Sequence, residues 1–364
     1  MKTRGITLLL AIALIGAASA IARGQESKMD TTRGRESGLY PLPILFYTPE
    51  TGFAGGAAAL YMYRDSLDKR ASSITGDVIY TSKKQIIFEL SGDQYFGGGN
   101  YRLLSDVLFQ KYPNRFFGIG NNTSESNKED YTAQTFAVRG TLYRNILSSF
   151  NAGPLFRYET VSMKETDPAG QLVHGRIPGS RGGTTAGIGL VANWDTRDNT
   201  FASRSGSFYQ VTGLYYGRSL GNDFVYTDLQ FETRNFFELL PEQVLAVQTA
   251  GEFIDGMPSF QNLVKFGGQN LLRGYFEGRY RDKNGIAVQA EYRVPVWWRF
   301  GVVGFVGAAQ VSDKVSRFAA NRFWVAGGVG LRFAWNPKER VNIRLDYGIG
   351  NNDSGTYITV TEAF

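Results

Sequence analysis

From Leu39 to its last residue the chain is written in alternation, with apolar and polar residues trading places at every second position and turn residues between the segments. From Gly285, the residues Ile286, Val288, Ala290, Tyr292 and Val294 share one face, and Gln289, Glu291 and Arg293 share the other. Val341, Ile343, Leu345 and Tyr347 likewise oppose Asn342, Arg344 and Asp346, while Leu229 and Phe231 oppose Asp228, Gln230, Glu232 and Arg234. A period of two sends successive side chains to opposite sides of a strand, so this pattern specifies sheet with two chemically unlike faces.

What surrounds the alternation selects the kind of sheet. Met1 to Ala20 carries Lys2 and Arg4, an apolar run from Ile6 to Ile15 and a small-residue end at Ala18-Ser19-Ala20, the form of a secretory signal peptide over residues 1–20. The exported chain has no cysteine, so it gains no disulfide and needs a large hydrogen-bonded structure instead. After Ala20 no apolar stretch reaches the length of a membrane helix, yet the chain is 14% aromatic and holds 44 glycines. A soluble sandwich would show the same alternation with its apolar face inward. The charge density on the polar faces, with Trp297, Trp298, Trp324 and Trp335 near strand ends, argues instead for an outer-membrane barrel.

Residues 21–38 are polar and read as a disordered periplasmic lead, which leaves residues 39–364 for the barrel. Sixteen segments fit strands, beginning at Leu42–Tyr47 and Gly52–Tyr63 and ending at Val341–Ile349 and Gly355–Phe364. An even count closes an antiparallel transmembrane barrel with both ends in the periplasm, its connections alternately short and long. Gly97 to Asn100, Leu240 to Glu242 and Asn336 to Lys338 fall on the short side; Asn114 to Asp130, Lys164 to Gly182 and Asp255 to Asn284 fall on the long side. Asp195 to Ser205 is the long exception among the periplasmic turns.

The formal charge of +6 is dispersed, with no basic run of the kind that binds nucleic acid. Gly217-Arg218-Ser219-Leu220-Gly221 spells GxSxG, but it lies between strands, not at a strand-to-helix elbow, and His174 is the chain's one histidine. Gly187, Gly189 and Ala192 fit GxGxxA with no helix behind them. The chain is therefore read as a non-enzyme without metal or other cofactor.

Three stretches stand out from the strand pattern. The loop from Lys265 to Tyr275 has paired glycines and one Arg among large apolar residues, in Leu272-Arg273-Gly274-Tyr275, which suggests a segment folded inward that needs an acidic partner. Asp195, Arg197 and Asp198, followed by Gly206, form a polar turn whose side chains can cap amides and pair locally. The last strand, with Asp353, Gly355, Ile358, Val360 and a final Phe364, is similar to the C-terminal signal of outer-membrane barrels.

Leu272-Arg273-Gly274-Tyr275, Trp194-Asp195-Thr196-Arg197-Asp198-Asn199 and Glu291-Tyr292-Arg293-Val294-Pro295 resemble, in order and spacing, the barrel domain of the BamA/TamA outer-membrane assembly superfamily, also called the bacterial surface antigen family. The resemblance implies that the loop before the twelfth strand enters the lumen and that Arg273 meets acidic residues there. Glu291, Asp228, Glu232 and Asp346 are the lumen-facing acids, and Glu291 is nearest in sequence. A buried Arg left without an acid costs about 3–5 kcal/mol, so a lone lumenal Arg273 is untenable. Two departures bear on function. Only the short lead stands where assembly members carry polypeptide-transport-associated domains, and Gly307 stands where many carry an acid in the thirteenth strand, which places more weight on Glu291.

The expected function is insertion or assembly of outer-membrane proteins or lipids through a seam between the first and last strands. The first strand, short and flanked by Pro41, Pro43 and Pro49, has few ladder bonds to offer there. Outer-membrane lipid is the expected partner, with other outer-membrane proteins or assembly subunits. The rivals are a passive pore or structural barrel, and an accessory subunit of an assembly complex.

Overall fold

The computed structural model describes residues 37–63 and 71–364; the segment expected to be a signal peptide, and the expected lead as far as residue 36, lie outside the described residues. The chain runs through β1 (Gly38–Thr48), β2 (Gly52–Tyr63), β3 (Ser72–Thr81), β4 (Ile86–Phe96), β5 (Tyr101–Phe116), β6 (Glu129–Leu147), β7 (Phe150–Thr166), β8 (Gly183–Asp195) and β9 (Gly206–Tyr216). It continues through β10 (Tyr226–Leu240), β11 (Gln243–Gly256), β12 (Val264–Phe266), β13 (Tyr280–Asp282), β14 (Asn284–Trp297), β15 (Phe300–Ser312), β16 (Trp324–Asn336), β17 (Val341–Gly350) and β18 (Asp353–Val360). Sixteen of these close an antiparallel barrel, and β12 pairs β13 in a separate hairpin within the β11–β14 connection.

The alternation of the sequence becomes the two faces of the wall. Leu45, Phe53, Tyr80, Leu190, Leu229, Val329 and Leu331 are exposed on the outside, where bilayer would cover them. Trp297 and Trp298, each 71% exposed, and Trp335 stand at the periplasmic rim as interfacial anchors. Trp324 differs from expectation. It turns inward, stacks on Tyr280 with centroids 4.4 Å apart, and donates its indole N–H to the Asn121 carbonyl at 2.9 Å. The neighbouring Val325 takes the outward position, so strand parity leaves Trp324 no choice of side.

The interface between β1 and β18 is unlike the rest of the wall. β1 matches β2 at every position from Gly38↔Met62 to Thr48↔Gly52, but registers with β18 only at Tyr47↔Ile358. Contrary to expectation β1 is not short, and Pro41 and Pro43 lie within it. An antiparallel ladder uses the N–H of every second residue on one edge. Because the ladder to β2 is unbroken past both prolines, their missing donors belong to the edge that faces β18.

The last strand also stops earlier than expected. β18 ends at Val360, and Thr361 adopts a positive φ of 60° that turns residues 361–364 into the lumen. Continuing the register would set residues 362 and 364 opposite the donorless Pro43 and Pro41. Phe364, expected at the end of a wall strand, is instead buried against Phe236, Val244 and Ala246 on the inner face of β10 and β11.

Replacing both prolines (Pro41→Ala with Pro43→Ala) restores two seam donors, each worth about 0.5–1.5 kcal/mol once bonded. The midpoint of the heat-induced mobility shift on detergent gels should rise; an unchanged midpoint would mean that the missing donors do not limit the seam.

Candidate functional site

The β11–β14 connection folds inward and fills the extracellular half of the lumen. Its hairpin pairs Val264↔Asp282, Lys265↔Arg281 and Phe266↔Tyr280. Apolar residues of the hairpin and its tip, Val264, Phe266, Leu271, Leu272, Tyr275 and Tyr280, pack with Ala287, Ala309, Val311 and Ala326 of the wall. Neighbouring loops seal it from above. Gly120 bridges Arg281, Thr123 accepts from Arg279, and the Arg281 guanidinium stands 5.2 Å from the centroid of the Phe116 ring.

Each residue of the tip has a distinct task. Leu272 reverses the backbone at φ 58°. Gly274, at φ 114°, lies flat on β17, and a Cβ there would come within 2.8 Å of the Ile349 carbonyl carbon. Its N–H donates to the Tyr357 hydroxyl at 3.1 Å. The Tyr275 hydroxyl donates to the Val325 carbonyl at 3.1 Å and accepts from the Asn351 N–H at 2.7 Å. Phe276 N–H reaches Asp353 at 3.1 Å, and Glu277 N–H reaches Glu50 at 2.8 Å.

Arg273 is the centre. Its side chain has no exposure, and its guanidinium lies 3.7 Å from the centroid of Phe305. It donates to Glu291 on β14 and to Asp346 on β17. Glu291 also accepts from Arg293 at 3.0 Å, and Asp346 from Arg332 at 2.5 Å. Arg332 continues to Glu362 at 2.7 Å, which is bonded by Asn342 as well. Arg344 donates to Thr359 and to the loop carbonyl of Gln269, while Gln289 donates to the carbonyl of Asn270. A continuous charged network thus runs from the inserted loop to the lumenal tail, where Arg293 bonds the Phe364 backbone oxygen at 3.1 Å.

At the periplasmic mouth, Asp195 pairs with Arg197 at 2.7 Å, and the Arg197 guanidinium lies over the Phe208 ring. Asp198 caps the N–H groups of Arg204 and Ser205. It also bonds Arg340 at 2.5 Å, while Asn199 reaches the Glu339 carbonyl at 3.3 Å. The turn of residues 196–205 therefore crosses from β8 and β9 to the β16–β17 turn. Gly206 closes it at φ 91°.

The sequence profile of the Omp85 superfamily domain matches residues 68–361. The chain belongs to the Omp85 superfamily. Solved structures share its fold at low identity. BamA from Haemophilus ducreyi lacking POTRA domains 1-3 is 14% identical with a TM-score of 0.64, covering 90% of this chain and 70% of that one. CdiB from Acinetobacter baumannii is 14% identical with a TM-score of 0.60, and the match covers 88% of this chain and 59% of that one. CdiB from Escherichia coli is 10% identical with a TM-score of 0.55, covering 90% and 68%. No curated protein sequence matches.

Within this Omp85 barrel, Arg273 lies against both Glu291 and Asp346, so a second acid joins the one singled out from the sequence. Opposite Glu291 on β15 stands Phe305, which meets Arg273 with a ring face, while Gly307 pairs with Gln289. Asp346 was visible as a polar-face residue of β17, but 73 residues separate it from Arg273 and nothing in the spacing joins them. Tyr357, Arg332, Arg344 and Glu362 were missed; their inward strand positions were the available signal. Asp353 and Gly355, read as part of the barrel signal, also face the loop. Asp353 accepts its amide, and Gly355 leaves room for the Tyr357 ring. The GxSxG segment lies in the β9–β10 loop around a short 3-10 turn, Arg218–Leu220.

Glu50, in the β1–β2 turn, ties the loop to the seam strand. Burial, with a contribution from the Glu277 charge, pushes its carboxyl up to about 7. The folded turn thus favours the neutral acid: its contribution is full below about 4.5 and is lost as pH rises through about 7. Protease nicking near Glu277 should be faster at alkaline than at mildly acidic pH, and Glu50→Gln should erase the difference.

Arg273→Ala leaves two buried carboxylates with less compensation and should cost about 3–5 kcal/mol. Glu291→Gln and Asp346→Asn should each weaken the loop, and combining either with Arg273→Ala should add less than the sum of the single losses. Heat-shift midpoints of the three single and two double variants measure this; a silent Glu291→Gln would leave Asp346 as the sole energetic partner.

Proposed function

We propose that this barrel inserts or assembles outer-membrane proteins or lipids by opening between β1 and β18. One observation carries the proposal: β1 and β18 meet at a single registered pair, beside an edge from which two prolines remove donors. Parting a sheet within a membrane exposes unpaired backbone groups at several kcal/mol each, so an opening site belongs where few bonds exist to break. BamA barrels share the fold, and their place in the superfamily supports the same class of role. The proposed part of the Arg273 clamp is to hold the loop, and with it β14 and β17, as a fixed frame beside the moving edge. A passive pore is less well supported, because the inserted loop and the tail both occupy the lumen.

The chain has no cysteine, so a single engineered pair is chemically unique. Tyr47 and Ile358 are direct register partners, and such positions have Cα atoms about 4.5–5.5 Å apart, within disulfide range. Cells relying on Tyr47→Cys with Ile358→Cys should show a depleted outer-membrane proteome or disturbed lipid asymmetry, restored by a membrane-permeant reductant. If deleting the gene changes neither, the proposal is wrong.

A further inference from the structure

The lumen beside β6–β11 keeps open space that the inserted connection does not fill. A cavity of about 40 Å³ is lined by Arg139 and Arg157 from β6 and β7, and by Asp228, Gln230 and Glu252 from β10 and β11. That volume holds about three waters. Tyr216, stacked on Tyr226 with centroids 4.2 Å apart, covers the wall between the two groups, and Asn262 of the inserted connection donates to the Tyr226 hydroxyl at 3.0 Å. Asp228 was among the lumenal acids considered for Arg273, but the clamp does not use it. It is 6% exposed; Gln230 donates to its Oδ2 at 2.6 Å, and its Oδ1 has no hydrogen-bond partner. The same Gln230 amide reaches Glu252 at 3.4 Å, so the two carboxylates share it. Arg139 is held by Asp106 at 2.8 Å, whereas Arg157 has no hydrogen-bond or ion-pair partner among the described residues. One space is thus lined by a buried carboxylate oxygen without a donor and a guanidinium without an acceptor, and the two do not pair with each other.

The geometry points to a lumenal binding site for a small α-amino acid, its carboxylate on Arg157 and its ammonium at Asp228 beside Glu252. A guanidinium presents a planar fork of N–H donors that matches a carboxylate. An ammonium has three donors and no acceptor, enough to supply Asp228 Oδ1 and to relieve the amide shared with Glu252. A simple anion would leave Asp228 Oδ1 without a donor, and a simple cation would leave Arg157 without an acceptor; a zwitterion answers both and brings no net charge into the barrel. The volume suits the smallest amino acids better than a bulkier phosphate headgroup. A narrow cleft lined by Gly182, Phe224, Ser259 and Gln261 adjoins the cavity at Thr185 and Asn262, on the side of the extracellular loops. The inference does not depend on whether the barrel opens between β1 and β18.

The full-length protein would be purified in detergent and its binding of labelled glycine, acetate, methylammonium and phosphoethanolamine measured by equilibrium dialysis. Glycine should bind about tenfold more tightly than acetate or methylammonium, each of which answers one pole alone. Asp228→Asn should bring glycine down to the level of acetate, and Arg157→Gln should bring it down to that of methylammonium, with the heat-induced gel shift intact in both. Glycine held no more tightly than acetate by the unsubstituted protein, which needs no variant to fold, would leave a simple anion site or a cavity holding water only and overturn the inference. So would a glycine affinity that survives both substitutions. Tighter binding of phosphoethanolamine than of glycine would assign the anionic pole to a phosphate and overturn the amino-acid assignment.

Discussion

A guanidinium with no solvent exposure sits between two carboxylates drawn from β14 and β17, with β15 and β16 between them in the wall, and much of the molecule follows from that arrangement. A sixteen-strand barrel is too wide for its own side chains to fill. Left alone it would hold a water channel, and a segment that displaces that water must be fastened by interactions that repay its loss. Arg273 does this by meeting Glu291 and Asp346 at once, with the Phe305 ring against its open face. The clamp in turn dictates the backbone around it. Gly274 is needed because the chain lies directly on β17, and Tyr275 turns its hydroxyl to wall backbone on either side.

Charge in the lumen is shared rather than paired off. Glu291, Asp346 and Glu362 stand among Arg273, Arg293, Arg332 and Arg344, and each of the three acids touches more than one arginine. Through Arg332 the loop at one end is joined to the inward-turned tail at the other. The tail's departure from the wall is the same event that leaves β1 without a partner below Tyr47. Loop anchoring and seam weakness therefore draw on one set of residues.

The wall strands were legible because a period of two survives any detail of tertiary packing, as in β2, whose bounds at Gly52 and Tyr63 agree with the sequence reading. Other strands run into the connections expected between them: β5 reaches Phe116 and β6 begins at Glu129, inside the stretch read as a loop from Asn114 to Asp130, because the ladder continues over the mouth. The inward loop and its arginine were legible from Leu272-Arg273-Gly274-Tyr275. What was not legible depended on who stands opposite whom. Asp346 lies far along the chain, Trp324 is lumenal only through its parity against Val325, and the stop at Val360 is set by lumenal attractions acting on Thr361 to Phe364. Pro41 and Pro43 announced a poor ladder, but which edge they impoverish emerged only with the register to β2.

The polar turn of residues 196–205 acquires a mechanical meaning from its anchorage at Glu339 and Arg340. A closed hoop cut at one point flexes along its whole circumference, whereas a hoop braced by a chord flexes only on the side of the chord that contains the cut. Here the chord runs from β8 and β9 to the β16–β17 turn, enclosing β9 to β16 in a braced arc that includes the β14 side of the clamp. The cut between β1 and β18 lies in the other arc. Deformation of the barrel is thereby directed into β1–β8 and β18, while the Arg273 clamp ties β17 to the arc that carries Glu291 and keeps its curvature.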